Sequence, residues 1–184
     1  MADTPGPAQT KRPEPQRLFF ALWPDDATRD ALDRVGKCLH PHWGGRRMRA
    51  DTLHLTLAFL GSLPAESCAA LLPRIDVLGA AAFDLVLDRA GFWPHNHIGW
   101  LGCRDASLPL AALAERLRGE LREAGVPFDA QPFLPHVTLL RNATGGRAPS
   151  CTPVRWRATD FALIASRTGV DGAYYDVLRR WPLI

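Results

Sequence analysis

Two four-residue stretches constrain this chain more than anything else in it. His54-Leu55-Thr56-Leu57 and His136-Val137-Thr138-Leu139 follow one formula and lie 82 positions apart. Their surroundings match as well. Residues 17–23 (RLFFALW) read as a strand, a helical stripe follows, and the strand 53–60 carries the first motif. Residues 97–103 read as a strand, a second stripe follows, and the strand 133–141 carries the second motif. Arg17 precedes His54 by 37 positions, and His97 precedes His136 by 39. Duplication of a strand–helix–strand unit accounts for both the repeat and its spacing. Side chains alternate across a strand. Each motif therefore presents an imidazole beside a hydroxyl on one face. It buries Leu55 and Leu57, or Val137 and Leu139, on the other.

Local signals fill in the rest. Residues 1–16 hold four prolines and no large apolar residue beyond Met1, so they read as a disordered leader. Asp25 and Asp26 open the first helix, whose stripe is Ala27, Ala31, Leu32, Val35, Cys38 and Leu39. His40 to Asp51 reads as a loop, broken by Pro41, Gly44 and Gly45. A helix over 64–78 starts at Pro64, kinks at Pro73 and ends at Gly79. Phe83 to Asp88 alternates as a strand. Ser107 caps the helix with stripe Leu110, Leu113, Ala114, Leu117, Leu121 and Ala124, stopped by Gly125 and Pro127. Asn142 to Pro153 reads as a flexible loop, and strands near 154–157, 160–166 and 173–180 finish the chain. One bilobal domain over 17–184 is the expectation.

Composition removes several classes. Apolar residues make up 47 % of the 184, enough for a core and against wholesale disorder. No apolar run approaches the roughly 20 residues of a membrane span, and no hydrophobic stretch follows the N-terminal charges as in a secretory signal. The expectation is a cytoplasmic monomer without membrane attachment. The net charge of +3 names no partner by itself. Only Lys11 and Lys37 among the 22 basic residues are lysines, a bias that a GC-rich genome produces without functional cause. Cys38, Cys68, Cys103 and Cys151 form no CxxC pair, so reduced thiols are expected, with Cys38 and Cys68 as small hydrophobes on helices. The pairs His40/His42 and His95/His97 have no Asp, Glu or Cys at ligand spacing and read as loop histidines, so no metal or other cofactor is expected.

Two facing imidazoles suit acid–base catalysis. A neutral one takes a proton from a nucleophile and a protonated one gives a proton to a leaving oxygen; histidine titrates near enough to neutrality for both. Hydroxyls at Thr56 and Thr138 are donors for the nonbridging oxygens of a phosphodiester. No GxSxG serine, P-loop or dinucleotide fingerprint competes.

HLTLAFLG (54–61) and PHVTLLR (135–141) resemble the paired HxTx signatures of the 2H phosphoesterase superfamily. RLFFALWPDD (17–26) and SRTGVDGAYYDVLRRWPL (166–183) are similar to the opening and closing strands of its RNA 2′,3′-cyclic phosphodiesterases, once called 2′-5′ RNA ligases. The resemblance covers 17–184. It implies a bilobal α+β fold, with two pseudo-symmetric antiparallel sheets, outer helices and a central cleft. It also implies hydrolysis of a terminal 2′,3′-cyclic phosphate on RNA to a 2′-phosphomonoester, without a metal. His54 would be the proton donor, His136 the proton acceptor, and Thr56, Thr138 and Arg141 the phosphate-binding residues. Leu140 stands where the family often has a small residue, and His97 where a basic one is common.

Further candidates are placed less tightly than the motif residues. Arg141 has the wrong parity to share a face with Thr138 unless the strand ends or bulges. Arg46, Arg47 and Arg49, with Trp43, could contact single-stranded RNA by charge and stacking. Phe19, Trp23, Phe92, Trp93 and Trp100 are either a stacking surface or core. One of Tyr174 and Tyr175 should face the cleft. Reversible 2′-5′ RNA ligation and non-catalytic binding of RNA ends or nucleotides are the alternatives.

Overall fold

The N-terminal strand is apolar on both faces, and both are covered. Leu18, Phe20 and Leu22 enter the main core, while Phe19 and Ala21 join a small separate cluster on the opposite face. The computed structural model describes residues 16–184, except 106, 170 and 171. All but one residue of the expected leader lies outside the described residues.

The elements run as follows: β1 (Gln16–Leu22), α1 (Asp26–Trp43), β2 (Arg46–Arg47), β3 (Leu55–Leu63), α2 (Ala65–Asp76), β4 (Phe83–Leu87) and β5 (Arg89–Trp93). Then come β6 (Ile98–Gly102), α3 (Leu108–Glu123), β7 (His136–Arg141), β8 (Val154–Ala158), β9 (Asp160–Gly169) and β10 (Gly172–Pro182). The α+β class with antiparallel sheets and outer helices is as expected. The larger sheet has eight strands in the order β10-β9-β1-β3-β7-β6-β5, with β2 also on β7. The smaller sheet is β4-β8. The pseudo-symmetry lies within the larger sheet. In one wing β1 pairs with β3, in the other β6 pairs with β7, and the wings meet where Leu55 faces Val137. Beyond that point β2 takes over the edge of β7, opposite Leu140 and Arg141.

The helices are exchanged between the units. α1 packs on β7 and β8, whereas α3 packs on β3 and α2. Leu55, Leu57, Val137 and Leu139 consequently share one continuous core, each at most 1 % exposed. Alternating β4 and β8 add Phe83, Leu85, Leu87, Val154 and Trp156 to it.

Several boundaries moved, for physical reasons. The expected loop 40–51 is shorter, because α1 runs through Pro41 to Trp43. Pro41 removes one hydrogen bond near the helix end, but Trp43 is buried and its Nε1 donates to Gly146 O at 3.0 Å. Tertiary packing outweighs the local break. Asp25 caps α1 as expected, accepting from Thr28 N at 2.7 Å. Ser107 occupies the corresponding place on α3 but makes no capping bond with its side chain. Strand β5 was not foreseen in RAGFW. Pairing with β6 makes it a strand, and Gly91 is the residue in it because the Trp100 ring lies across that position: a β-carbon there would stand 2.1 Å from a ring carbon. The strand expected over 133–141 begins only at His136.

Candidate active site

Both motif histidines are held in the same way. His54 Nδ1 lies 2.7 Å from the carbonyl of Thr52, and His136 Nδ1 lies 2.7 Å from the carbonyl of Leu134. A carbonyl only accepts, so each Nδ1 carries the proton and donates it. That leaves Nε2 of each ring as the nitrogen that exchanges protons. The duplication thus extends from residue types to tautomer.

Aromatic rings flank each imidazole. Trp23 stacks nearly parallel on His54 (5.7 Å, 9°), Phe19 lies 4.8 Å from it, and Tyr175 meets it edge-on at 5.2 Å. Trp93 meets His136 edge-on at 4.5 Å, with Trp100 packed behind Trp93 at 5.3 Å. Phe92, of opposite parity on β5, packs instead against Trp43 and His97. Burial among these rings pushes His54 from the ordinary 6.5 down to about 4. The Thr52 carbonyl opposes that shift, while the positive charges of His136 and Arg141 reinforce it. Burial also lowers His136, against the pull of the Leu134 carbonyl. His136 therefore sits close enough for its charge to be felt at His54, and both rings are neutral at pH 7.

Bulges decide what else reaches the cleft. In β7 Thr138 pairs with Trp100 and Leu140 with Gly99, which leaves Leu139 as an extra residue. In β3 Thr56 pairs with Ala21 and Ala58 with Phe20, which leaves Leu57 extra at the same motif position. A bulge of one residue reverses the alternation beyond it. Arg141 consequently turns back to the side of His136 and Thr138, and Phe59 turns back to the side of His54 and Thr56. The parity objection to Arg141 is removed by the strand itself.

Two cavities lie along this face. One of about 250 Å³ is lined by Arg46, Arg49, Thr52, Arg141 and Tyr175. The other, about 570 Å³, is lined by Thr56, Phe59, Trp93, Phe133 and His136 among others. Arg49 is anchored there by Asp51 and by Ala173 O at 3.1 Å, and its guanidinium lies 4.7 Å over the Tyr174 ring. Tyr175 is the tyrosine that faces the cleft. Its hydroxyl stays protonated, since burial raises its pKa despite the opposing charges of Arg141, Arg17 and Arg49.

Some candidates go elsewhere. Trp43 does not reach the cleft: it is 1 % exposed in the main core, too enclosed to stack on a base. Arg47 points to α1 and bonds Asp33 at 3.0 Å. His97 sits in a left-handed turn and bonds the Ala143 carbonyl at 3.2 Å. Sequence reasoning missed Phe59, whose signal was present in the HxTxxF and HxTxxR pairing of the two repeats. Among the described residues, no three of His, Cys, Asp or Glu cluster as a metal site would require. No helix among the described residues is long and apolar enough to cross a membrane.

The family model for the 2′-5′ RNA ligase superfamily matches residues 24–169. The chain belongs to that superfamily. It is 37 % identical to an RNA 2′,3′-cyclic phosphodiesterase of Escherichia coli, over 92 % of this chain and 98 % of the relative. It is 31 % identical to one of Thermus thermophilus, over 91 % and 90 %. Among solved structures, Escherichia coli LigT complexed with 3′-AMP superposes with a TM-score of 0.82 at 37 % identity, covering 92 % of this chain and 99 % of that one.

Proposed function

We propose that this protein hydrolyses 2′,3′-cyclic phosphates at RNA 3′ ends, leaving a 2′-phosphomonoester. The observation that carries the proposal is the pair of imidazoles, each tied at Nδ1 to the carbonyl two residues earlier and open at Nε2. Relatives named for this activity cover nearly the whole chain. In this scheme His136 Nε2 takes a proton from water as its oxygen forms a bond to phosphorus. The bond from phosphorus to the 3′ oxygen breaks, and His54 Nε2 protonates that oxygen. Thr56, Thr138, Arg141 and the Tyr175 hydroxyl supply donors to the nonbridging oxygens, where negative charge concentrates. His54 must enter as the imidazolium. An anionic phosphate beside it favours that form and offsets the effect of burial. Arg46 and Arg49 extend the positive surface towards the preceding RNA backbone. Nothing in this scheme requires a metal, and the enzyme acts in the cytoplasm as a monomer.

The test is product-resolved turnover of a nucleoside 2′,3′-cyclic phosphate, and of a short RNA ending in one, with EDTA present. A 2′-phosphate product is expected. A 3′-phosphate product, or activity abolished by EDTA, contradicts the scheme. His54→Ala and His136→Ala should each lower kcat by about 10²–10⁴-fold without loss of folding. Near-normal turnover in either variant would sink the pairing. Formation of a 2′-5′ linkage uses the same groups in reverse, and the same product analysis detects it.

A further inference from the structure

Two cysteines that lie 113 residues apart in sequence meet on the far side of the sheet from the cleft. Cys38 Sγ, on α1, is 2.7 Å from Cys151 Sγ, in the segment between β7 and β8. Both are free thiols and both are partly exposed. A disulfide spans about 2.05 Å, so less than an ångström separates this pair from a covalent bond. Cys38 Sγ also lies 4.0 Å from Ser150 O. A cavity of about 230 Å³ reaches Cys151 between Arg89, Arg104 and Pro149, wide enough to admit a small reagent.

The segment 142–153 is held unevenly. Its first half is pinned: Ala143 N donates to His97 O at 3.0 Å, Thr144 N to Trp43 O at 2.7 Å, and Gly146 O accepts from Trp43. From Arg147 to Ser150 it lies largely open to solvent. Gly146 and Cys151 bracket that open stretch. We infer that Cys38 and Cys151 form a redox-sensitive staple, closed by thiol–disulfide exchange, that locks the 147–151 segment onto α1.

The step balances with an external low-molecular-weight disulfide as oxidant. One protein thiolate attacks a sulfur of that disulfide, releasing one thiol and leaving a mixed disulfide. The second protein thiolate attacks the protein sulfur of the mixed disulfide, forming Cys38–Cys151 and releasing the second thiol. The two protein thiols are oxidised, the reagent is reduced to two thiols, and those thiols carry away the protons. Burial and the neighbouring Cys38 push the Cys151 thiol up to about 12. Closure should therefore quicken as pH rises.

The full-length protein, incubated with oxidised glutathione and then alkylated, tests this. Two of the four thiols should be lost, and tryptic mapping should join the peptide of Cys38 to that of Cys151. The melting temperature should rise by about 5 °C or more, and trypsin should cut after Arg147 about tenfold more slowly. Turnover of a cyclic phosphate should be unchanged, because the staple lies away from the cleft. Cys38→Ser and Cys151→Ser should each abolish the cross-link and both gains. Four thiols still open to alkylation, a bridge to Cys68 or Cys103, or mixed glutathione adducts at both positions would each overturn the inference.

Discussion

A histidine that gives or takes a proton must present one nitrogen and hide the other. The carbonyls of Thr52 and Leu134 impose that here, two residues before each ring. The rings around each imidazole do the second job of setting when it titrates. His54, under Phe19, Trp23 and Tyr175, is pushed further down than the ordinary value by burial, to about 4. His136 is lowered too. In the proposed scheme the competent free enzyme carries one proton on the pair; both values lie below 6.5, so that form is lost as pH rises above 6.5. We predict that kcat/KM for a cyclic nucleotide peaks between about pH 4 and 6.5. The kcat profile should peak at higher pH, because bound phosphate raises both values. A kcat/KM optimum at pH 7.5 or above would falsify this account of the two imidazoles.

At the scale of elements, the bulges at Leu57 and Leu139 do what strict alternation forbids. They let a strand present positions 1, 3 and 6 of the motif to one face. The motifs, their aliphatic backs, the three helices and most strands were legible in the sequence, because period-2 and period-3.6 patterns record burial directly. What was not legible depended on partners distant in the chain. Trp43 looks like an exposed loop aromatic until Gly146 and the core enclose it. Arg47 looks like its neighbours until Asp33 takes it. RAGFW lacks alternation because Gly91 leaves room for Trp100. That last point predicts that Gly91→Ala forces the Trp100 ring aside. The expected cost is about 1–3 kcal/mol, measured as a lower denaturant midpoint. The cleft should suffer with it, since Trp93 and Thr138 both neighbour Trp100. Wild-type stability in Gly91→Ala would show that the ring yields freely.

At the scale of the whole molecule, the two repeats exchange their helical covers. α1 covers β7 while α3 covers β3, and β1 lies between β3 and β9 in the sheet. A fragment ending near residue 80 keeps the first motif but loses α3 and β9. A fragment beginning there keeps the second but loses α1. Each leaves apolar strands uncovered. Neither fragment should show a cooperative thermal transition alone, whereas the two mixed should recover one by circular dichroism. A folded fragment would show that the units are independent after all.

The same strand order has a consequence for the moment of synthesis. Tyr175, which closes over His54, lies on β10, and β10 is held in place by β9 along the flank of β1. A nascent chain carries both HxTx motifs once residue 139 is made, yet one wall of the first waits on Tyr175. The ribosome that makes it is built of RNA. A centre that waits for Tyr175 stays unfinished while β8 and β9 are still being made.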